Sequence, residues 1–376
     1  MGRLRIASSM DVSPRLSHAP TRRAAPVPCV LLLAAVVGLT GCLPGSGRRN
    51  DRALSPADSA SIALAATVPV DTLELAWTAR APVDDPMPLP TSLGWMDDGH
   101  LAVVETQVGS IRLFRADSTY QGRIDLPEDS YPYFAGAAGD AVAVLARGTG
   151  EVLWAVPGDG VVQEISVGEK ALNAWALSPS GPMSVRFGGG TSDDPAEIRQ
   201  LDADGTVIQT TPLPNAWRAS GFLRAWGDTT VALSGYRPVV DLARNGQADT
   251  LALQGFDSPQ LPRSAQFMRG DANEPPLLTS SADVLGNDLY VLNLRGDHVR
   301  VDVYGRDGVL QRVLVSPSPW QVLQHVALDL SVRVSPDPGQ PEGALELAVL
   351  MQRSRGVIQQ ADAFLALYRW RPDPAP

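Results

Sequence analysis

The feature that most constrains the fold is a repeat in which a glycine-containing turn is followed by a short run of aliphatic residues. Asp98-Gly99 precedes such a run at 101–104, and Gly139-Asp140 precedes another at 141–145. Successive turn glycines lie 40, 42, 46, 59 and 57 residues apart: Gly99, Gly139, Gly181, Gly227, Gly286 and Gly343. Self-similarity at this spacing indicates a repeat fold in which each unit packs against the next.

A second, tighter turn recurs in most units and indicates two-residue hairpins, because Asn-Gly and Asp-Gly supply the positive φ angles that such hairpins need. These turns are Asp117-Ser118, Asp159-Gly160, Asp204-Gly205, Asn245-Gly246 and Asp307-Gly308. A period near 42 with about four short strands per unit predicts propeller blades. The predicted fold class is therefore all-β, a six-bladed β-propeller. Its predicted blades span residues 90–130, 131–170, 171–213, 214–257, 278–316 and 320–371.

Two stretches lie outside the repeat. Residues 258–277 contain four prolines and are predicted to be an insertion between blades 4 and 5. Residues 71–79 have the pattern of a strand that precedes blade 1. A circular array of sheets must close on itself to remove its free edges. We therefore predict that this early strand completes blade 6 and joins the two ends of the chain.

The beginning of the chain has the pattern of an export signal. Arg22 and Arg23 precede an apolar run from Cys29 to Leu39, which is too short to span a bilayer. The sequence Leu39-Thr40-Gly41-Cys42 follows and resembles the lipobox of bacterial lipoproteins. The resemblance implies cleavage before Cys42, a diacylglycerol on its thiol and, with Leu43 in the next position, an outer-membrane location in the cell envelope. The start of translation is open between Met1 and Met10.

These features divide the chain into three predicted segments: a signal peptide at 1–41, an acylated Cys and flexible tether at 42–70, and the propeller at 71–372. The formal net charge is −10, and removing the leader, with its five arginines and one aspartate, leaves −14. This charge opposes nucleic acid and anionic membrane surfaces. We expect a monomer that meets the membrane through its acyl chains alone. A single lysine, Lys170, excludes a Lys-containing phosphate loop.

Two units carry a resemblance to a known repeat. The segments 96–105, 110–114 and 121–124 in blade 1, and 284–313 in blade 5, resemble NHL-type blades. The chain as a whole resembles the six-bladed, NHL/TolB-like propeller lipoproteins of bacteria. The resemblance implies that the loops between second and third strands share one face with the blade-to-blade connectors and the mouth of the channel.

Aromatic and arginine side chains are concentrated in those loops and connectors, and these residue types dominate binding hot spots. The candidate binding residues are Tyr131, Tyr133, Trp217, Tyr236, Arg237, Arg295, Asp297, His298, Trp320 and Arg353. We predict a face that binds an envelope protein, a peptide or a glycan. The alternative for Trp175 and Trp217 is packing between blades. Asp297 and His298 would point to opposite faces of a strand, so no catalytic set is predicted.

The alternative function is enzymatic. The architecture resembles that of propeller lactonases, which hold a divalent cation in the channel with oxygen ligands, and calcium or another divalent cation accepts such ligands. Glu105, Asn173, Asn215 and Asp283 would supply them if they line the channel. The repeated tripeptide Asn-Ala-Trp makes Asn173 and Asn215 equivalent in adjacent blades. Each asparagine instead caps a turn if it does not face the channel.

Overall fold

Six antiparallel sheets of consecutive strands make up the protein. The computed structural model describes residues 54–188, 196–213, 222–316, 325–353 and 363–371. The first strand of each sheet contacts the first strand of the next, and the last of these six strands contacts the first one again. The sheets therefore form a closed ring around a central channel, and the predicted six-bladed β-propeller is confirmed.

Each blade is a four-stranded meander, numbered here from the channel outward. The strands of blades 1 to 3 are β3 (Pro90–Trp95), β4 (Leu101–Glu105), β5 (Ser110–Phe114), β6 (Tyr120–Asp125), β7 (Pro132–Ala138), β8 (Ala141–Ala146), β9 (Glu151–Val156), β10 (Gly160–Ser166), β11 (Ala171–Ala176), β12 (Met183–Phe187), β13 (Glu197–Leu201) and β14 (Val207–Pro212). Those of blades 4 and 5 are β15 (Leu223–Trp226), β16 (Thr229–Leu233), β17 (Val239–Arg244), β18 (Gln247–Ala252), β19 (Thr279–Leu285), β20 (Asp288–Asn293), β21 (Arg300–Tyr304) and β22 (Leu310–Val315). Blade 6 contains β23 (His325–Val334), β24 (Leu345–Arg353) and β25 (Ala363–Trp370).

The burial of the strands follows their distance from the channel. Every residue of β4 and of β8 is buried, because a second strand is covered on both faces by the neighbouring blades. The outer strand β6 alternates between buried or half-buried and exposed residues, as expected for a strand with one face in water. The predicted hairpin turns have the required backbone: Asn245 and Gly246 have φ angles of 52° and 75°.

The chain closes the ring with a strand that comes before blade 1, as predicted. Strand β2 (Glu74–Ala79) pairs antiparallel with β25 and is the outer strand of blade 6. Leu73, immediately before it, is fully buried in the core shared by blades 5 and 6. The two ends of the propeller are therefore joined by backbone hydrogen bonds as well as by apolar burial.

Residues 54–70, expected to belong to a flexible tether, are instead built onto the propeller. Helix α1 (Pro56–Ala65) begins at a capping box formed by Ser55 and Asp58. Its Ile62 packs on the core of blades 4 and 5, and its Ser61 hydroxyl donates to the Phe256 carbonyl at 3.0 Å. The following strand β1 (Val70–Thr72) pairs parallel with β22 as a fifth strand of blade 5.

The predicted insertion also has structure. Residues 261–268 form a second helix, α2 (Leu261–Met268), which faces α1 across a cavity of about 780 Å³. Leu261 is buried in the same core as Phe256, so the insertion supplies part of the surface that holds α1. Among the described residues, no helix is long and apolar enough to cross a membrane.

Neighbouring inner strands approach each other so closely that particular positions require glycine. The ring of Phe134 in β7 lies over Gly94 in β3, and a Cβ atom on Gly94 would come within 1.9 Å of it. A Cβ on Gly136 would come within 2.0 Å of the Ala176 carbonyl oxygen in β11. These two glycines therefore set the spacing between blades 1 and 2 and between blades 2 and 3.

We predict that Gly94→Ala destabilises the propeller by about 1–3 kcal/mol, because the added methyl forces Phe134 from its place in a packed interior. Gly296→Ala is the matched control, since nothing lies within 4 Å of its added Cβ. Thermal and denaturant unfolding of both variants measures the difference. Equal stability of the two variants would contradict the packing argument.

Candidate functional site

The channel of blades 4 to 6 contains a buried ionic cluster, referred to below as the channel cluster: Arg224, Asp283 and Asp329. Arg224 comes from inner strand β15, and its Nε donates to Asp283 Oδ1 of β19 at 3.3 Å. One of its terminal nitrogens lies 4.0 Å from Asp329 Oδ1 of β23. All three residues are buried, and Asp329 is fully buried. The channel cluster therefore links three consecutive blades by charge.

Hydrogen bonds from the backbone and from hydroxyl groups occupy the oxygens of both carboxylates. The amide of Leu93 in blade 1 donates to Asp329 Oδ2 at 2.7 Å, and the hydroxyl of Ser281 in blade 5 donates to its Oδ1. Asp283 Oδ2 accepts the Val332 amide at 2.7 Å and the Ser331 hydroxyl at 3.2 Å, both from blade 6. Each carboxylate therefore connects its own blade to the next one in the ring.

Aromatic side chains form the other half of the channel wall. The Arg224 guanidinium lies 4.7 Å from the ring centre of Trp175 in blade 3. Trp175 meets Phe134 of blade 2 edge-on at 6.3 Å, and Phe134 covers Gly94 of blade 1. Trp175 therefore contributes to packing between blades, and a continuous series of contacts runs around the channel. Arg224 joins its aromatic and ionic halves.

The predicted binding residues Tyr131 and Tyr133 are brought together with Arg147 at the mouth of the channel, and these three residues are called the mouth patch below. In a meander blade, the second-to-third strand loop and the connector to the next blade lie at the same end of the strands. Tyr131 ends the connector before β7, and Arg147 lies in the loop after β8. The Arg147 guanidinium lies 3.6 Å from the centre of the Tyr133 ring.

Tyr131 has an unusual backbone and an exposed ring. Its φ angle is +45°, and Asp129, two residues earlier, has a φ of +59°. Bulky side chains rarely adopt this left-handed region, because it costs about 1–2 kcal/mol. The Tyr131 side chain is nevertheless 45% exposed, so burial of its ring does not offset that cost. Strain of this kind is concentrated at binding and catalytic sites.

The predicted residues of blade 5 are paired with each other and with the preceding connector. Arg295 donates to the Asp257 carbonyl at 2.6 Å and lies 3.5 Å from its carboxylate. Asp297 Oδ1 lies 2.6 Å from His298 Nδ1, although adjacent residues of a strand were expected to point apart. That expectation was wrong because 294–299 is a loop between β20 and β21. Burial lowers the pKa of Arg295, and the neighbouring Arg300 lowers it further.

The remaining predicted binding residues are dispersed around the same face. Tyr236 and Arg237 lie in the loop between β16 and β17, where Arg237 lines the cavity between the two helices. Arg353 ends β24, across from His325 in β23. Burial lowers the pKa of His325, and the charges of Arg80 and Arg353 lower it further. Trp217, Trp320, Asn215 and the predicted lipidation site Cys42 lie outside the described residues.

The oxygen ligands proposed for a cation are placed apart. Glu105 ends β4, and its carboxylate accepts backbone amides of Leu89, Gln107 and Val108. Burial raises the pKa of Glu105, and these hydrogen bonds oppose the rise. Asn173 lies in β11 across from Arg186, and Asp283 belongs to the channel cluster. In the described part of the chain, no three His, Cys, Asp or Glu residues are grouped to hold a metal ion.

Sequence reasoning did not identify three important residues: Arg224, Asp329 and Arg147 as part of a stack. Arg224 and Asp329 lie in inner strands that also contain apolar residues, and their partners are 59 and 236 residues away. Arg147 was placed in its loop by the repeat, but its contact with Tyr133 depends on how two strands of one blade end. The usable signal was a charged residue inside a predicted inner strand.

Comparison with known proteins supplies similar architectures at very low sequence identity. No protein-family model matches the chain, and no curated protein sequence matches it significantly. A streptogramin B lyase structure is 11% identical, with a TM-score of 0.47, over 80% of this chain and 88% of the other. Virginiamycin B lyase from Staphylococcus aureus is 9% identical, with a TM-score of 0.45, over 78% and 99%.

Regucalcin from Agrobacterium tumefaciens, a calcium-binding protein, is 11% identical with a TM-score of 0.49. That similarity covers 80% of this chain and 94% of regucalcin. At these identities the resemblance concerns the fold alone. It does not indicate what this chain binds or whether it catalyses a reaction.

We predict that Arg224→Met destabilises the propeller by about 3–5 kcal/mol, because two buried carboxylates lose their cation. Arg244→Met is the control: Arg244 forms an ion pair with Asp228 at the surface, where both side chains are mostly exposed, and its loss changes stability by at most about 1 kcal/mol. Denaturant unfolding measures both. A loss below 1 kcal/mol for Arg224→Met would show that the channel cluster does not hold the blades together.

The channel cluster also makes stability depend on pH. Burial raises the pKa of Asp329 to about 6, although Arg224 and the hydrogen bonds oppose the rise. The folded protein then binds this proton more tightly than the unfolded chain does, so the group's contribution to stability falls as pH rises from about 4 to 6. For Asp329→Asn this contribution is absent. We expect the stability of the wild type relative to Asp329→Asn to fall by about 2–3 kcal/mol over that range, measured by melting at several pH values. A pH-independent difference would contradict the assignment.

Proposed function

We propose that the protein is a lipid-anchored binding propeller of the bacterial cell envelope, at the outer membrane, that presents its loop-bearing face to a protein, peptide or glycan. The observation that carries this proposal is the mouth patch. An exposed tyrosine in a strained backbone conformation lies next to a stacked tyrosine–arginine pair, at the mouth of a rigid channel. Tyrosine and arginine are the residue types that contribute most to binding energy at interfaces.

The rigidity of the support favours binding by the mouth patch. Tyr133 lies in inner strand β7, next to Phe134, whose amide donates to the Ser92 hydroxyl of blade 1 at 2.8 Å. Gly148 supports Tyr131 from behind, because a Cβ there would meet the Asp129 carbonyl oxygen at 1.7 Å and the Tyr131 ring at 2.9 Å. Side chains that are fixed before binding lose little conformational entropy when a partner arrives.

The channel itself supports binding over metal-dependent hydrolysis. The oxygens of its carboxylates accept hydrogen bonds from Arg224, backbone amides and serine hydroxyls. A cation there would have to displace an arginine and disrupt contacts between blades. The lipid anchor at Cys42 is part of the proposal and rests on the lipobox resemblance. Its partners are envelope components, and the membrane is contacted through the anchor alone.

The proposal is tested by placing a photo-crosslinking amino acid at position 131 in the full chain and irradiating intact cells. The matched control places it at Asp159, an exposed turn residue at the opposite end of the strands of blade 2. We expect a discrete crosslinked product from position 131 and none from position 159. Equal products from both positions, or none from either, would overturn the proposed binding face.

We further predict that Tyr131→Asn lowers affinity for the crosslinked partner at least about tenfold, because it removes the aromatic contact area. Asparagine tolerates positive φ, so the variant keeps its fold and its stability stays within about 1 kcal/mol of the wild type. Quantitative binding and melting of the two purified proteins check both parts. Unchanged affinity would show that the Tyr131 ring is not part of the binding site.

A further inference from the structure

We infer that the mouth patch recognises a carboxylate on its ligand, with Arg147 as the residue that pairs with it. The inference rests on the binding function proposed above and specifies the chemistry of the ligand. It depends on how Arg147 is placed: its charge is held in the protein without a neutralising partner, and its side chain is half-buried at a surface that a ligand can reach.

The contacts of Arg147 orient its guanidinium and leave its charge uncompensated. One terminal nitrogen donates to the Leu172 carbonyl of blade 3, and the group lies over the Tyr133 ring at 3.6 Å. Its Nε has no hydrogen-bond partner. Within the described part of the chain, no carboxylate lies within 4.0 Å of it. Burial lowers the pKa of Arg147, with a small opposing effect from Tyr133, which agrees with a cation that has lost part of its hydration.

Other arginines with little exposure are neutralised in this structure. Arg112 pairs with Asp85 at 2.7 Å, Arg300 with Asp302 at 2.7 Å, and Arg333 with Glu346 at 2.7 Å. Arg224 has its partners in the channel cluster. Arg186 has no ion pair of this kind, but it is fully exposure-free and lies between blades 3 and 4, where a ligand has no access to it. Arg147 therefore combines an unpaired charge with accessibility.

An unpaired, partly desolvated cation is costly to hold, because the folded state removes water from it and supplies no opposite charge. A ligand carboxylate would supply that charge together with a charge-assisted hydrogen bond to the guanidinium. The Tyr133 ring fixes the plane of the guanidinium, and such planar pairing suits a carboxylate. The Tyr131 ring, from the adjacent connector, offers an apolar surface for the group that bears the carboxylate.

A carboxylate fits better than a phosphate ester for reasons of charge. The chain carries a formal net charge of −10, and Arg147 is the single cation of the mouth patch. A phosphate monoester approaches two negative charges at neutral pH and needs more than one cation or several backbone donors. A monoanion is matched by one guanidinium. The carboxylate has two chemical sources, a peptide or a sugar acid.

The test compares acids with neutral molecules of the same shape, using the full chain and calorimetry or NMR titration. The pairs are benzoate with benzamide, N-acetyl-dialanine with its C-terminal amide, and glucuronate with its methyl ester. We expect at least one acid to bind about tenfold more tightly than its neutral twin, which corresponds to about 1.4 kcal/mol. A preference in the second pair identifies a peptide source, and one in the third pair identifies a sugar acid. Phenyl phosphate binding more tightly than benzoate, or no acid preference in any pair, would overturn the inference.

Two variants separate a role in recognition from a structural one. Arg147→Met keeps an unbranched side chain over Tyr133, and we expect it to abolish the acid preference while melting no lower than the wild type. Arg244→Met removes a surface arginine and is expected to leave the preference unchanged. An acid preference that survives in Arg147→Met would contradict the inference. Crosslinking from position 131 in Arg147→Met distinguishes the two proposals: an unchanged product rejects the carboxylate but keeps the binding face, whereas no product in the wild type rejects the binding face itself.

Discussion

The structure depends on contacts between neighbouring inner strands around a closed channel. Six sheets arranged in a circle have no terminal unit, so each one must fit both of its neighbours. Close approach achieves this fit on one side of the channel, where Phe134 covers Gly94 and the Ala176 carbonyl faces Gly136. Charge achieves it on the other side, where Arg224, Asp283 and Asp329 link blades 4, 5 and 6. Strand β2 then completes blade 6 from the other end of the chain.

The two kinds of arginine in this propeller show how burial and pairing separate structure from recognition. Arg224 is 4% exposed, and its charge is offset by carboxylates that also accept backbone amides. Such a cluster holds strands in register and has no free capacity for a ligand. Arg147 is oriented just as firmly, by Tyr133 and the Leu172 carbonyl, but the fold supplies no counter-charge for it. A rigid channel thus supports a mouth that remains electrostatically incomplete.

Much of the fold could be predicted from the sequence because the repeat is local. The turn before each second strand and the hairpin before each fourth strand are short-range signals, and they predicted six blades and the closing strand. Helix α1 and strand β1 could not be found in this way, because their partners are Phe256 and β22, which are distant in sequence. The channel cluster was missed for a related reason. Arg224, Asp283 and Asp329 occupy inner strands of successive blades but have different chemistry, so they leave no periodic signal.

The candidate site lies where the repeat is interrupted, and this follows from the constraint on the inner strands. A residue inside a blade is fixed by two neighbouring sheets, so its substitution disturbs packing before it can alter recognition. The connector that ends at Tyr131 is free of that constraint on its outer side, yet it contains two non-glycine residues with positive φ, Asp129 and Tyr131. Hydrophobic burial does not explain why an exposed tyrosine is kept in that conformation. Recognition at the mouth explains both the strained tyrosine and the unpaired arginine beside it, which packing alone would leave as two separate costs.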